Sequence, residues 1–66
     1  MNIADIKPPL DYRYKRIVSG VQVRGRIEVS RVYQRNGRWW VQGADKKLKR
    51  YITLQPGQIE RRVKMR

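Results

Sequence analysis

The chain has 66 residues, no cysteine or histidine, and 17 lysine and arginine residues against 5 acidic ones, so its formal net charge is +12. A chain of this length forms at most one small domain, and the missing residue types exclude disulfides and the common zinc sites. Because no nucleophile has a base and no carboxylates are paired, we predict that the protein is not an enzyme and uses no cofactor or metal.

The first nine residues, MNIADIKPP, are predicted to form an extended N-terminal arm (1–9) ahead of a single small β-barrel domain (10–66). Ile3 and Ile6 can pack as one helical turn, but the proline pair stops a helix and favours an extended entry into the domain. The arm contains no apolar run that resembles a signal peptide or a membrane span. We therefore expect a cytoplasmic protein that does not contact membranes.

Five segments after the arm alternate apolar and polar residues, as expected of half-buried strands: DYRYKRIV, VQVRGRIEVSRVYQR, RWWVQG, LKRYITL and QIERRVKM. Turn signals separate them at Ser19-Gly20, at Asn36-Gly37 and in QPG, where proline and glycine suit a type II turn. We therefore predict an all-β fold, a small antiparallel barrel or strongly curled sheet of about five short strands. Such a chain has little core, so a homodimer contact or a bound ligand is expected to add to its stability.

The alternation assigns one face of each strand to the core. Gly25 falls in the middle of such a face, where glycine marks a bend or a close backbone approach of the kind that coils a short sheet toward a barrel. The residues expected to face inward are Val21, Val23, Ile27, Val29, Leu48, Ile52, Leu54, Ile59, Val63 and Met65.

The segment VYQRNGRWWVQGAD holds both tryptophans beside a hairpin signal. A two-residue turn at Asn36-Gly37 pairs Tyr33 with Trp40 and leaves Trp39 on the opposite face, where we expect it to hold the core. This arrangement requires a bulge near Ser30-Arg31, because a regular strand would put Tyr33 in phase with the preceding valines. Without the bulge, Tyr33 and Trp40 are core aromatics. In either case Trp40 can also lie half covered at the rim of so small a barrel.

The outward face of this hairpin then combines two aromatic rings with three arginines, which suits bases that stack on the rings while guanidinium groups hold phosphates. The run DKKLKRY is either a solvated turn or a basic loop that clamps a phosphate backbone, and Asp45 is expected to be a turn residue. The candidate nucleic-acid-binding residues are Arg24, Arg26, Arg31, Tyr33, Arg35, Arg38, Trp40, Lys46, Lys47, Lys49, Arg50 and Tyr51.

The stretch RWWVQGADKKLKRYITLQPGQIERR, residues 38–62, resembles the C-terminal hairpin of WYL domains. These are small SH3-like or Sm-like β-barrels of bacterial regulators that bind nucleic acid or nucleotide-type ligands. Trp40 and Val41 stand where that family has tyrosine and leucine. The resemblance implies an SH3-like barrel, with Arg50 as the counterpart of the family's ligand-contacting arginine.

Charge and aromatic pattern together predict a non-enzymatic, regulatory module that binds DNA or RNA. The alternative is a small basic protein-interaction module, of a kind that phage genes encode, docking on an acidic surface of a host machine such as a polymerase, a nuclease or the ribosome. Nucleic acid and an acidic protein are thus the two expected partners.

Overall fold

The computed structural model describes residues 1–63 and shows one sheet of five antiparallel strands. The strands lie in the order β4-β3-β2-β1-β5, so that the last strand of the chain pairs with the first. This confirms the predicted all-β fold in its curled-sheet form. The strands are β1 (Asp11–Val18), β2 (Val21–Arg35), β3 (Arg38–Asp45), β4 (Arg50–Leu54) and β5 (Ile59–Arg62), with short 3-10 helices at Ile3–Asp5 and Pro56–Gln58.

The long strand β2 carries the predicted bulge. Its first half pairs with β1 and its second half with β3, and the register against β3 shifts between Val29 and Arg31. Ser30 is therefore an extra residue, and its hydroxyl donates a 3.0 Å hydrogen bond to the carbonyl of Gln42. Gly43 pairs with Val29 just before the shift, and a Cβ atom at Gly43 would clash with the carbonyl oxygen of Glu28. The bulge thus depends on a residue without a side chain in the facing strand.

The core lies on one face of the curled sheet, and the N-terminal arm packs against it. Ile6 is buried with the strand residues, and the Tyr12 hydroxyl accepts from the Lys7 amide at 2.9 Å and donates to the Asp5 carbonyl at 3.0 Å. The Met1 ammonium group donates to two carbonyls around the second 3-10 helix. Met1, Ile3 and Ile6 of the arm thus add contacts to a small core. The buried apolar members of this core are Ile6, Tyr12, Tyr14, Ile27, Val29, Val41, Ile52, Leu54 and Ile59.

Several residues expected in the core lie outside it. Val21 is 62% exposed and Leu48 46% exposed, while Val23 and Val63 are only partly buried. Near the β1–β2 turn and the β3–β4 turn the chain extends beyond the core. Side chains there stay exposed even where they point toward the inward face. Met65 lies outside the described residues.

The turn before β5 also differs from the expected type II turn. Pro56–Gln58 forms a 3-10 helix, with proline near its start and the Gln58 side chain accepting a 2.9 Å hydrogen bond from the Gln55 amide. This capping satisfies the backbone donor that precedes the helix. Within residues 1–63 no helix combines the length and the apolar character needed to cross a membrane.

Replacing Gly43 tests the bulge. We expect Gly43→Ala to lower the free energy of unfolding by at least about 2 kcal/mol, because the new Cβ meets backbone that cannot rotate away. Gly57→Ala is the matched control, since open space surrounds that position, and it should change stability by less than about 0.5 kcal/mol. Urea unfolding followed by circular dichroism measures both, and equal stability of the two variants would contradict the packing described.

Candidate functional site

The outward face of the β2–β3 hairpin carries the aromatic pair expected from the sequence. Tyr33 pairs with Trp40, and Arg35 pairs with Arg38 next to the turn, in the register predicted for a two-residue loop. Because Ser30 shifts the phase of β2, these side chains lie on the side opposite Val41, which is fully buried. We call this surface the aromatic platform; it consists of Arg31, Tyr33, Arg35, Arg38 and Trp40.

Arg31 is held in place on the platform by two contacts. Its guanidinium carbon lies 4.4 Å from the centre of the Tyr33 ring, a cation–π distance, and its Nε donates a 2.6 Å hydrogen bond to Oε1 of Gln42. Tyr33 and Trp40 are each partly buried. The platform therefore presents rings whose positions are restrained by neighbouring side chains.

A groove of about 710 Å³ runs over the platform and is lined by Tyr33, Arg35, Asn36, Arg38, Trp40 and Thr53. Arg35 and Arg38 are like charges placed directly opposite each other, an arrangement that destabilises a sheet. None of the platform arginines joins the ion pairs found in residues 1–63, which are Arg24–Glu60, Arg26–Asp11 and Lys46–Glu28. The groove thus combines exposed ring surface with positive charge that the described part of the chain leaves uncompensated.

Trp39 does not occupy the core position expected for it. It is on the core side of β3, in phase with Val41, but its side chain is 43% exposed. Its cross-strand partner is Gln34, and β4 pairs with β3 only from Val41 onward, so Trp39 has no paired neighbour in β4. The expectation that Trp39 is a core residue is therefore wrong, although its assignment to the face opposite Trp40 is confirmed.

The remaining candidate residues do not belong to the platform. The exposed lysines Lys46, Lys47 and Lys49 occupy the turn at the other end of β3. Tyr51 is 70% exposed and pairs with Ala44, two residues before Thr53 on the same outward face. Two more candidates lie in the first half of β2, where Arg24 pairs with Lys15 and Arg26 pairs with Arg13 of β1. Arg50 begins β4 and pairs with Asp45 on the inward side.

A polar cluster on the inward side was not anticipated. The Tyr14 hydroxyl donates to Oδ2 of the buried Asp45, whose Oδ1 accepts from the Lys47 and Leu48 amides at 2.9 and 2.8 Å. Asp45 is thus the expected turn residue and also an anchor for β1. Gly25 makes room for this contact, because a Cβ there would lie 2.6 Å from Cζ of Tyr14. No local pattern indicates the contact, since Tyr14 and Asp45 are 31 residues apart.

The cluster shifts the ionisation of both partners. Burial, followed by the hydrogen bond to Asp45 and the charge of that carboxylate, raises the pKa of Tyr14 to about 12. Burial also raises the pKa of Asp45, but hydrogen bonds from Tyr14, Leu48 and Lys47 outweigh it. Together with the charge of Arg16 they lower the pKa of Asp45 below its usual 3.8. The folded state therefore favours a neutral phenol and a charged carboxylate.

A scan against protein-family models found no match for the chain, and searches of curated proteins and of solved structures found none either. Residues 1–63 contain no group of three or more acidic, histidine or cysteine side chains placed to hold a metal ion.

The pH dependence of stability tests the cluster. Because folding raises the pKa of Tyr14, its contribution is complete below about pH 10 and is lost as pH rises from about 10 to 12. The Asp45 contribution is complete well above pH 3.8 and is lost as pH falls through that value and below. We expect Tyr14→Phe to flatten the alkaline limb and Asp45→Asn the acid limb in urea unfolding series. Tyr51→Phe, at an exposed ring, is the control. An alkaline limb unchanged in Tyr14→Phe would contradict the assignment.

Proposed function

We propose that the chain is a non-enzymatic module that binds nucleic acid on the aromatic platform. The observation that carries the proposal is the Tyr33–Trp40 pair in a groove bounded by arginines without ion-pair partners in residues 1–63. Bases have π faces that stack on such rings, and phosphates accept the paired donors of arginine. Both halves of a nucleotide thus find complementary groups on one surface.

The geometry favours unpaired over paired bases. A ring on a sheet surface can stack on a base only if that base leaves its own stack, which costs least in a single strand or a distorted duplex. Stacking contributes about 1 to 3 kcal/mol per base. Phosphates near Arg35 and Arg38 would also relieve the repulsion between these opposed charges. Ligand binding would therefore stabilise the hairpin tip, with low sequence specificity.

We extend the proposal to an SH3-like fold. Its support is the WYL resemblance of residues 38–62, together with a five-stranded antiparallel sheet in which β5 pairs with β1. The WYL resemblance covers β3, β4 and β5. Arg50, its suggested ligand contact, lies opposite Asp45, away from the platform.

We also propose that the protein is a regulator in the cytoplasm. The lack of cysteine suits such a reducing compartment.

One observation favours the alternative, a protein partner with an acidic surface. The β1–β2 hairpin tip exposes three aliphatic side chains, Ile17 at 68%, Val18 at 43% and Val21 at 62%. β5 pairs with β1 only at Tyr12, Arg13 and Tyr14, so the strand edge beside this tip is open within the described residues. An apolar tip next to a basic sheet suits an acidic protein better than a phosphate backbone.

The two tryptophans provide a matched test of the platform. We expect Trp40→Ala to weaken binding of a short single-stranded oligonucleotide by about fivefold to a hundredfold, the loss of one stacked base. Trp39→Ala removes the same side chain from the other face and should change affinity less than about twofold. Fluorescence anisotropy with a labelled oligonucleotide measures both variants, and circular dichroism checks that each is folded.

The salt dependence separates stacking from charge. The slope of log K against log salt should be unchanged in Trp40→Ala, because no phosphate contact is lost. In Arg38→Gln the slope should become less negative by about 0.7, the value expected for one lost phosphate contact on a single strand. If wild-type protein binds no oligonucleotide below about 100 μM at low salt, the proposal fails and the acidic protein partner takes its place. The same holds if Trp39→Ala is the variant that loses binding.

A further inference from the structure

A second basic surface covers the outward side of β1, the first half of β2 and β5. Arg13 pairs with Arg26 on one side and with Arg61 on the other, which aligns three arginines across three strands. The neighbouring pair is Lys15 opposite Arg24. Like charges directly opposite each other destabilise a sheet, so this arrangement lowers the stability of the free protein.

Acidic residues compensate only part of this charge. Asp11 is buried and accepts from Nε and Nη2 of Arg26 at 3.1 and 2.8 Å, which neutralises the inner end of the row. Glu60 approaches Arg24 at 4.0 Å, with both side chains well exposed, so this pair contributes little. Arg13, Lys15 and Arg61 make no ion pair within residues 1–63. A recess of about 410 Å³ lies among these charges, lined by Arg13, Tyr14, Arg24, Gly25, Glu60 and Arg61.

A charge-compensated strip separates this surface from the platform. Arg26 with Asp11, and Glu28 with Lys46 at 3.3 Å, occupy the middle of β2 and its neighbours. From Arg24 to Tyr33 the strand rises at about 3.3 Å per residue, a path of roughly 30 Å before curvature is considered. Among the outward strand positions, the basic residues without a close ion pair are therefore divided between the two ends of the face, with a compensated middle.

We propose that the outward surface formed by Arg13, Lys15, Arg24 and Arg61 binds the phosphodiester backbone of a second nucleic-acid segment. This inference rests on the proposed function, which assigns the first segment to the platform. The outward positions of β1 and of the first half of β2 carry no aromatic ring, so this surface holds phosphates without stacking bases. One copy of the chain then joins two segments, one held by its bases and one by its backbone.

Native mass spectrometry counts the ligands on each chain directly. The probe is a thymidine oligonucleotide of about four nucleotides, which is too short to contact both surfaces at once. At low salt we expect complexes with one and with two oligonucleotides per single chain. Quenching of Trp40 fluorescence reports occupancy of the platform alone, because no tryptophan lies on the second surface.

Arg13→Glu is the deciding variant. It should reduce affinity for the second oligonucleotide at least about tenfold while the quenching curve changes less than about twofold. It should also raise the melting temperature by about 2 to 6 °C, because the glutamate lies opposite Arg26 and Arg61. Lys7→Glu makes the same change in net charge at an exposed position of the arm and should lower neither step by more than about twofold.

The outcomes separate the two proposals. Quenching with only one oligonucleotide per wild-type chain overturns this inference and leaves the platform standing. Two oligonucleotides that persist in Arg13→Glu also overturn it, as does an equal loss in Lys7→Glu, which would indicate general charge attraction. Absence of both quenching and complexes overturns the inference together with the proposed function.

Discussion

One extra residue in β2 determines which side chains this protein presents to its surroundings. Ser30 lets Ile27 and Val29 before it, and Val32 after it, all face the core side of a single continuous strand. The same phase shift turns Tyr33 and Trp40 outward. Gly43 permits it, because any side chain there would collide with the backbone of the neighbouring strand. Core and platform are therefore two consequences of one irregularity, and neither persists in this form without it.

The distribution of charge on the outward face lowers the stability of the sheet. Arg35 lies opposite Arg38, and Arg13 lies between Arg26 and Arg61, so like charges face each other at two places. A sheet of this size has little stability to lose. The inward side compensates with specific contacts. Asp45 anchors Tyr14 over Gly25, and the arm adds Ile6 to the core. A polyanion that neutralises the outward charges would remove this repulsion.

The sequence predicts which face of the sheet a side chain lies on better than it predicts how far that side chain is buried. Asn36-Gly37 determined the hairpin register, and the conflict of phase in β2 located the bulge, because both follow from local geometry. Burial depends on where the other strands end, which alternation does not encode, so the exposure of Trp39, Val21 and Leu48 was not predicted. The contact between Tyr14 and Asp45 joins distant segments and leaves no local signal. Composition indicates many basic candidate residues but not which of them lie together. Only the fold shows that the platform arginines and the lysines of the β3–β4 turn lie toward opposite ends of β3.

The two indole N–H signals in a ¹H–¹⁵N NMR spectrum of the intact chain show directly which face of the hairpin meets a ligand. Trp39 and Trp40 are the only tryptophans and lie on opposite faces of one strand. On titration with a short single-stranded oligonucleotide, we expect the Trp40 signal to shift progressively to saturation while the Trp39 signal stays nearly in place. A shift of Trp39 with a stationary Trp40, or no shift of either signal at low salt, would contradict this expectation.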